Sequence, residues 1–91
     1  MKIEWDPEKA GRNLAKHGVS FFEAGSVFAD PLSMTYPDPN HSELEERYVD
    51  IGHSQRGRLL VVAYTERGES IRIISARKAT PRERNAYENK I

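Results

Sequence analysis

Residues 71–88, IRIISARKATPRERNAYE, contain five of the 14 basic side chains in this sequence, grouped closely enough to bind a phosphate group. A strand-like apolar run meets the start of a helix here. Five cations surround that junction: Arg72, Arg77, Lys78, Arg82 and Arg84. The backbone N–H groups at a helix start carry a partial positive charge, so cations placed beside them favour a bound anion. The stretch is therefore a candidate site for binding the phosphate backbone of a nucleic acid.

The basic residues at this helix start have two interpretations. Arg82 and Arg84 fall in the first turns, where positive charge opposes the helix dipole and acidic residues would stabilise the helix better. Local conflicts of this kind concentrate at functional sites. The alternative is a solvated basic helix, in which arginine stems cover Tyr87. We favour the functional interpretation.

Strict alternation along the last strand predicts that each of its faces ends in one cation. One face would carry Ile71, Ile73, Ser75 and Arg77, and the other would carry Arg72, Ile74, Ala76 and Lys78. Arg77 and Lys78 would then point to opposite sides of the sheet at its end.

The sequence predicts no metal site and no cofactor. His17, His41 and His53 include no pair with the His-x-x-x-His spacing of metal ligands, and the chain has no cysteine. It also lacks the glycine-rich loops that bind nucleotides. His17 falls near a helix end, where a histidine commonly complements the helix dipole.

Two helices are predicted after a short strand at residues 2–5. Asp6 and Pro7 are typical of a helix start, and the residues at 10, 14 and 17 recur on one helix face, so Leu14 should face the core. The second helix should begin after Ser20, which forms a capping box with Glu23, and end at residue 30. The adjacent phenylalanines at 21 and 22 are expected in the core.

Four further strands and a third helix complete the predicted order β-α-α-β-β-β-β-α. The run RLLVVAYTE is continuously apolar, as is typical of a central strand covered on both faces. Thr80, Pro81 and Glu83 mark the start of the last helix, which should run to the end of the chain. The fold class is therefore a compact α+β domain, with an antiparallel meander packed against helices.

Length and composition indicate one small domain, residues 1–91, in the cytoplasm. The chain carries 14 basic and 14 acidic residues, so its net charge is zero, and it has no cysteine. We expect no secretory leader and no membrane contact, because no long apolar run is present. Charge is unevenly distributed, since residues 28–50 are acidic and residues 67–91 are basic.

Two segments carry a resemblance to a known family. They are IEWDPEKAGRNLAKHGVSFFEAGSVFADP and RYVDIGHSQRGRLLVVAYTERGESIRIISARKATPRERNAYE. In their residues and in their order these segments resemble the BrnT family of type II toxins, and the resemblance covers residues 5–88. The resemblance implies a compact RelE-like fold and ribonuclease activity that halts translation. It also implies neutralisation by a BrnA-type antitoxin that carries a ribbon-helix-helix DNA-binding part.

The resemblance also implies a reaction: RNA cleavage without a metal ion, by attack of a 2′-hydroxyl on the adjacent phosphate. Such a reaction needs a proton acceptor, a proton donor and cations that stabilise the charged phosphorane. We expect Arg77 and Lys78 to contact the phosphate. Glu66 and His17 are the candidates for the proton acceptor. The expected supporting RNA-binding residues are Arg72, Arg82 and Arg84.

An alternative function is a catalytically weak toxin homologue that acts mainly as an antitoxin-bound co-repressor of its own operon. Operator DNA would then be contacted only through the antitoxin, because zero net charge and the lack of a helix-turn-helix pattern disfavour direct DNA binding. Either the basic junction or the acidic residues 43–46 could face the antitoxin.

Overall fold

The computed structural model describes residues 1–39 and 45–89, and its elements follow the predicted order. The elements are β1 (Lys2–Trp5), α1 (Pro7–His17), α2 (Phe21–Gly25), a 3-10 helix (Ser26–Ala29), β2 (Met34–Pro37), β3 (Arg47–His53), β4 (Leu59–Arg67), β5 (Ser70–Lys78) and α3 (Pro81–Glu88). The predicted second helix is thus divided into an α-helical and a 3-10 part. His41, residues 43 and 44 of the acidic stretch and the final two residues lie outside the described part.

The strands form a single five-stranded sheet in the order β1-β5-β4-β3-β2. The strands β2 to β5 make the predicted antiparallel meander, and β4 lies at the centre. β1 pairs in parallel with β5 at one edge, which makes the sheet mixed. The α+β fold class and the central position of RLLVVAYTE are confirmed.

The helix ends form as their local sequences predict. Asp6 accepts a hydrogen bond from the backbone N–H of Glu8 at 3.0 Å, and Gly18 ends α1 in the left-handed conformation with φ 68°. The Thr80–Glu83 capping box is present at the start of α3. These signals are reliable because each involves residues only a few positions apart.

The first three helical segments cover one face of the sheet, called here the helical face. Its core contains Phe21, Val27, Leu60 and Ile73, all at most 1% exposed. Phe22, the other phenylalanine predicted for the core, is 72% exposed. In a helix of only five residues, one phenylalanine faces inward and the next turns about 100° away from it.

The inward face of α1 is also different from the prediction, because Leu14 is 51% exposed and Asn13 is buried. The Asn13 amide donates to the carbonyl oxygens of Val19 at 3.0 Å and Ala76 at 2.8 Å, and it accepts from the Ala76 N–H at 3.1 Å. β1 ends opposite Ile73, so this side of β5 has no strand partner at Ala76. Asn13 satisfies the backbone groups there, which explains why a polar residue turns inward.

A β-bulge changes which β5 side chains share a face. Ala63 pairs with Ser75 but Tyr64 pairs with Ile73, so Ile74 is the extra residue. Ile73 and Ala76 consequently both lie in the core of the helical face, contrary to strict alternation. The bulge therefore corrects the predicted arrangement of the last strand.

The opposite face of the sheet, called here the open face, is covered only in part. Register places Arg72, Ser75 and Arg77 on this side, so the two arginines that alternation separates share a face. α3 packs against one end of it through Tyr87, which contacts a small core containing Ile51, Leu59 and Val61. None of the described helices is long and apolar enough to cross a membrane.

Candidate functional site

The junction between β5 and α3 is organised by Glu83. Its carboxylate accepts two hydrogen bonds from the Arg77 guanidinium, at 2.7 and 2.9 Å, and one from the Thr80 backbone N–H at 2.8 Å. The hydrogen bonds from Arg77 lower the pKa of Glu83 to about 2, although burial opposes the shift. Arg77 is therefore held in a fixed position, and its charge is already partnered by an anion.

The other cations at this junction are more accessible. Lys78 and Arg82 are exposed and form no ion pair with other residues in the described ranges, whereas Arg84 lies 3.7 Å from Glu88. Lys78 pairs with Leu60, whose side chain lies on the helical face, so Lys78 extends toward that side of the sheet. The structure thus brings Arg77, Lys78, Arg82 and Arg84 to one end of the domain, on different sides of it.

Arg72 and Glu66 lie at the opposite end of the sheet from Lys78. Glu66 pairs with Ile71, and Arg72 pairs with Thr65. Lys78 pairs with Leu60, which lies six residues before Glu66 in β4. At the rise per residue of a strand, Glu66 is therefore about 20 Å from Leu60. The structure therefore does not bring Glu66 together with Arg77 and Lys78, and its role as proton acceptor stays a prediction.

Glu66 also lies in unfavourable surroundings for a phosphate. It lines a surface pocket with Glu45, Glu46 and Tyr48. Three carboxylates at one pocket repel a phosphodiester. His17, the other candidate proton acceptor, is half-buried at the end of α1. That end lies near the start of β4, because Arg58 donates to the Gly18 carbonyl at 3.1 Å, so His17 and Lys78 belong to the same end of the domain.

A network of three residues at the end of α3 was missed by the sequence analysis. The Tyr87 hydroxyl donates to Asp30 Oδ2 at 2.7 Å and lies 3.2 Å from His53 Nδ1. The backbone N–H of His53 donates to the same Asp30 oxygen at 2.8 Å. The His53 and Tyr87 rings also meet edge to face, with centroids 5.0 Å apart. The network links β3, α3 and the loop before β2.

The pKa values of this network follow from its contacts. Burial would raise the pKa of Asp30, but hydrogen bonds from the His53 backbone, Tyr87 and the Leu32 backbone hold it below its ordinary value. Burial and the Asp30 carboxylate raise the pKa of Tyr87 to about 12. Asp30 is therefore an ionised acceptor, and Tyr87 keeps its proton.

The hydrogen bonds favour one tautomer of His53. In that tautomer the Tyr87 hydroxyl proton is directed to Asp30, the Tyr87 oxygen accepts from His53, and Nδ1 carries the ring proton. Nε2 is then the proton-accepting nitrogen of a side chain that is 40% exposed. No spacing in the sequence predicts this network, because its members are separated by 23, 34 and 57 residues.

A second buried network, around Glu23, supports the fold on the other side. Glu23 accepts hydrogen bonds from Arg58 Nε at 2.9 Å and Ser54 Oγ at 2.7 Å, and a further close one from Arg58 Nη2. The Arg58 contact lowers the pKa of Glu23 to about 2 against the effect of burial. This network joins α2 to the β3–β4 turn and leaves no accessible carboxylate, because the Glu23 side chain is 3% exposed.

Comparison with known proteins relates this geometry to a family. Residues 5–83 match the family model described as the ribonuclease toxin BrnT of type II toxin–antitoxin systems. The chain belongs to the BrnT family. It is accordingly an endoribonuclease of that class, and a type II toxin implies a cognate antitoxin as partner.

A solved BrnT structure shows the same fold. The 1.1 Å crystal structure of the Brucella abortus ribonuclease toxin BrnT is 28% identical to this chain, with a TM-score of 0.69. The match covers 88% of this chain and 97% of the Brucella toxin. No curated protein sequence matches this chain. The resemblance to BrnT, the fold and the enzyme class are thus confirmed, whereas the roles of individual residues stay predictions.

The open face of this BrnT chain carries several basic side chains. It combines Arg47, Arg72 and Arg77 with the exposed hydroxyl residue Ser75, and His53 lies at its α3 end. Within residues 1–39 and 45–89, no group of three or more His, Cys, Asp or Glu side chains could hold a metal ion. The described side chains of the open face thus include these cations, one histidine and, on β1, the carboxylate of Glu4.

Proposed function

We propose that this BrnT toxin cleaves RNA without a metal ion, on the open face beside α3, and thereby arrests translation in the cytoplasm. The observation that carries the proposal is the shared face of Arg77 and His53. Register places Arg77 opposite Val61 and Ile51, and His53 lies two residues further along β3. From the spacing between strands and the rise per residue, the Cα atoms of Arg77 and His53 are about 12 Å apart. The Tyr87 ring packs on Ile51 and Val61 between these two residues, so RNA must pass beside α3 to contact both.

The proposed reaction is transfer of the phosphodiester to the adjacent 2′-oxygen. The 2′-hydroxyl attacks phosphorus and the bond to the 5′-oxygen breaks, which leaves a 2′,3′-cyclic phosphate and a 5′-hydroxyl. His53 Nε2 takes the 2′-hydroxyl proton, because Nδ1 already donates to Tyr87. The imidazolium formed in this step lies near the Asp30 carboxylate, whose oxygen is 3.9 Å from Nδ1. A proton then reaches the leaving 5′-oxygen from the protonated site or from water.

The cations stabilise the charge that builds on the phosphorane. Arg77 is positioned by Glu83 to contact the phosphate from the open face. Arg82 and Arg84, from the first turns of α3, contact neighbouring phosphates together with Lys78. Arg72 binds further along the RNA, at the other end of β5.

Cleavage of an end-labelled RNA by purified toxin in EDTA tests this proposal. We expect cyclic phosphate ends, and we expect His53→Gln to lower kcat by about 100-fold or more, as is typical of a lost general base. His17→Gln tests the candidate proton acceptor from the sequence, and we expect it to retain activity because His17 lies at the same end of the domain but on the helical side. Equal loss in the two variants, or full activity of His53→Gln, would exclude His53 as the proton acceptor.

The phosphate contacts have their own test. The double variant Arg77→Ala and Lys78→Ala, shown to be folded by circular dichroism, should neither arrest growth on induction nor inhibit translation in a cell-free extract. Arrest equal to that of wild type would remove the junction from the site. Activity that disappears in EDTA and returns with Mg²⁺ would contradict metal independence.

We also propose that the antitoxin is of the BrnA type, with a ribbon-helix-helix part that binds operator DNA. The family supports this assignment, since its members belong to type II systems. An adjacent reading frame encoding a small ribbon-helix-helix protein that co-purifies with the toxin would support it. A neighbouring frame of another fold that neutralises the toxin would exclude it.

One observation favours the second candidate function, a weak enzyme that acts mainly as co-repressor. Arg77 is already partnered by Glu83, which reduces the charge that it can offer to RNA. In that case purified toxin would leave RNA intact, while the Arg77–Lys78 double variant would still co-purify with the antitoxin and tighten its binding to operator DNA. Cleavage by the wild type at a normal enzymatic rate excludes this candidate.

A further inference from the structure

A row of four side chains crosses the open face at the end of the sheet distant from α3. Glu4 of β1 pairs with Arg72 of β5, Arg72 pairs with Thr65 of β4, and Thr65 pairs with Arg47 of β3. Directly paired residues project to the same side of a sheet, with Cβ atoms about 5 Å apart. Thr65 is therefore flanked by an arginine on each side.

The hydroxyl of Thr65 is unusual for a buried polar group. Thr65 is 3% exposed, and its Oγ1 has no hydrogen-bond partner among the residues that the structure describes. Burial of a hydroxyl without a partner is unfavourable, and valine has the same shape without that penalty. On the same sheet, the hydroxyl of Thr35 donates to Asp50 at 2.7 Å. Stability alone would therefore favour valine at position 65 and threonine at position 35.

The flanking arginines can supply the charge that a phosphate requires. The Arg72 side chain is 30% exposed and lies 3.6 Å from Glu4, which is longer than a hydrogen bond. Such a loose and partly solvated pair is weak, so Arg72 can exchange Glu4 for a stronger acceptor. Arg47 is half-buried on the other side of Thr65. Hydrogen bonds from Arg67 lower the pKa of Glu45, and the charges of Arg72 and Arg47 lower it further, so a bound phosphate competes with Glu45 as well as Glu4 for these arginines.

We propose that Arg47, Thr65 and Arg72 form a second phosphate subsite, which binds a phosphodiester of the RNA outside the cleaved bond. Each guanidinium donates to the phosphate, and the Thr65 hydroxyl donates a third hydrogen bond once the arginine side chains turn to the ligand. Arg77 pairs with Val61, which lies four residues before Thr65 in β4. The two subsites are therefore about 13 Å apart along the strand. RNA therefore lies along β4 and β5 and is held at two points. This inference rests on the proposed cleavage site at Arg77 and His53.

The test uses Thr65→Val and two RNA probes that cannot be cleaved, a 2′-O-methyl octanucleotide and a 2′-O-methyl dinucleotide. Thr65→Val should raise the Tm, since it removes an unpartnered buried hydroxyl. It should weaken binding of the octanucleotide about 10-fold, as expected for a lost hydrogen bond to a charged group. The dinucleotide is too short to reach both subsites, so its affinity should not change. A purely structural threonine would show none of this loss of affinity.

Thr35→Val is the matched control, because it should lower the Tm and leave the affinity for both probes unchanged. Arg72→Gln gives a second, independent measurement. For the octanucleotide it should reduce the slope of log K against log salt by about 0.7, the value for one phosphate contact on a single strand.

The possible failures are distinguishable. If wild type binds and cleaves RNA but Thr65→Val and Arg72→Gln bind the octanucleotide as wild type does, the second subsite is wrong and the cleavage site stands. Equal losses for the dinucleotide and the octanucleotide would also overturn the second subsite. If wild type binds neither probe and leaves RNA intact, the proposed function and this inference fail together.

Discussion

Replacement of Asn13 by alanine tests the most consequential packing feature of this BrnT chain. The side chain makes three hydrogen bonds in a buried site, two of them to the backbone of Ala76. Removing the amide leaves the N–H and carbonyl of Ala76 and the carbonyl of Val19 without these partners. At about 1 kcal/mol for each lost bond, the free energy of unfolding should fall by about 3 kcal/mol or more.

The measurement is urea and thermal unfolding followed by circular dichroism. A loss of that size corresponds to a fall in Tm of about 12 °C or more for a domain of this length. Leu14→Ala is the matched control on the same helix, and it should change the free energy of unfolding by less than about 0.5 kcal/mol because Leu14 is exposed.

Asn13→Leu separates the hydrogen bonds from the volume of the side chain. Leucine fits the apolar spacing of α1 and keeps a similar size, yet it should also destabilise the protein because the backbone of Ala76 is left unpaired. The reasoning is refuted if Asn13→Ala costs less than about 1 kcal/mol. It is equally refuted if Asn13→Leu is more stable than wild type, or if Leu14→Ala costs as much as Asn13→Ala.

Three further predictions concern charge, hydroxyl groups and surface. The pKa of Glu23 is lowered from 4.5 to about 2 in the folded state. The stabilisation by ionised Glu23, about 3 kcal/mol, is therefore present above the ordinary pKa and is lost as pH falls through the folded value. In urea titrations between about pH 5 and pH 3, wild type should lose more of its free energy of unfolding than Glu23→Gln. Tyr87→Phe should lower kcat while His53 is retained, and an unchanged kcat and pH profile would contradict the assigned tautomer. Phe22→Ser should leave the Tm within about 2 °C, because the ring is solvent-exposed.

The features that sequence predicted correctly are local ones. The capping box at Thr80, the turn at Gly18 and the apolar run of β4 each depend on neighbouring residues, and the element order follows from them. The basic residues at the β5–α3 junction were likewise visible as a cluster. Patterns of this kind need no knowledge of which strands meet.

The features that sequence missed depend on contacts between distant segments. Asn13 turns inward because β1 stops at Trp5 and leaves Ala76 without a strand partner, a fact that α1 does not encode by itself. The bulge at Ile74 moves Arg72 and Arg77 to one face, and a single extra residue cannot be seen in an alternating pattern. Asp30, His53 and Tyr87 meet only in the folded chain.

Under the proposed function, the carboxylate of Glu83 competes with RNA for Arg77. Glu83 Oε1 accepts hydrogen bonds from both the Arg77 guanidinium and the Thr80 backbone N–H. The same carboxylate therefore neutralises Arg77 and caps the first turn of α3. Chloride or a lone phosphate must displace the Glu83 carboxylate to reach Arg77. A polynucleotide attaches at several points and can replace Glu83 at one of them. If Arg77 contacts RNA as proposed, we therefore expect the toxin to bind long anions there in preference to short ones.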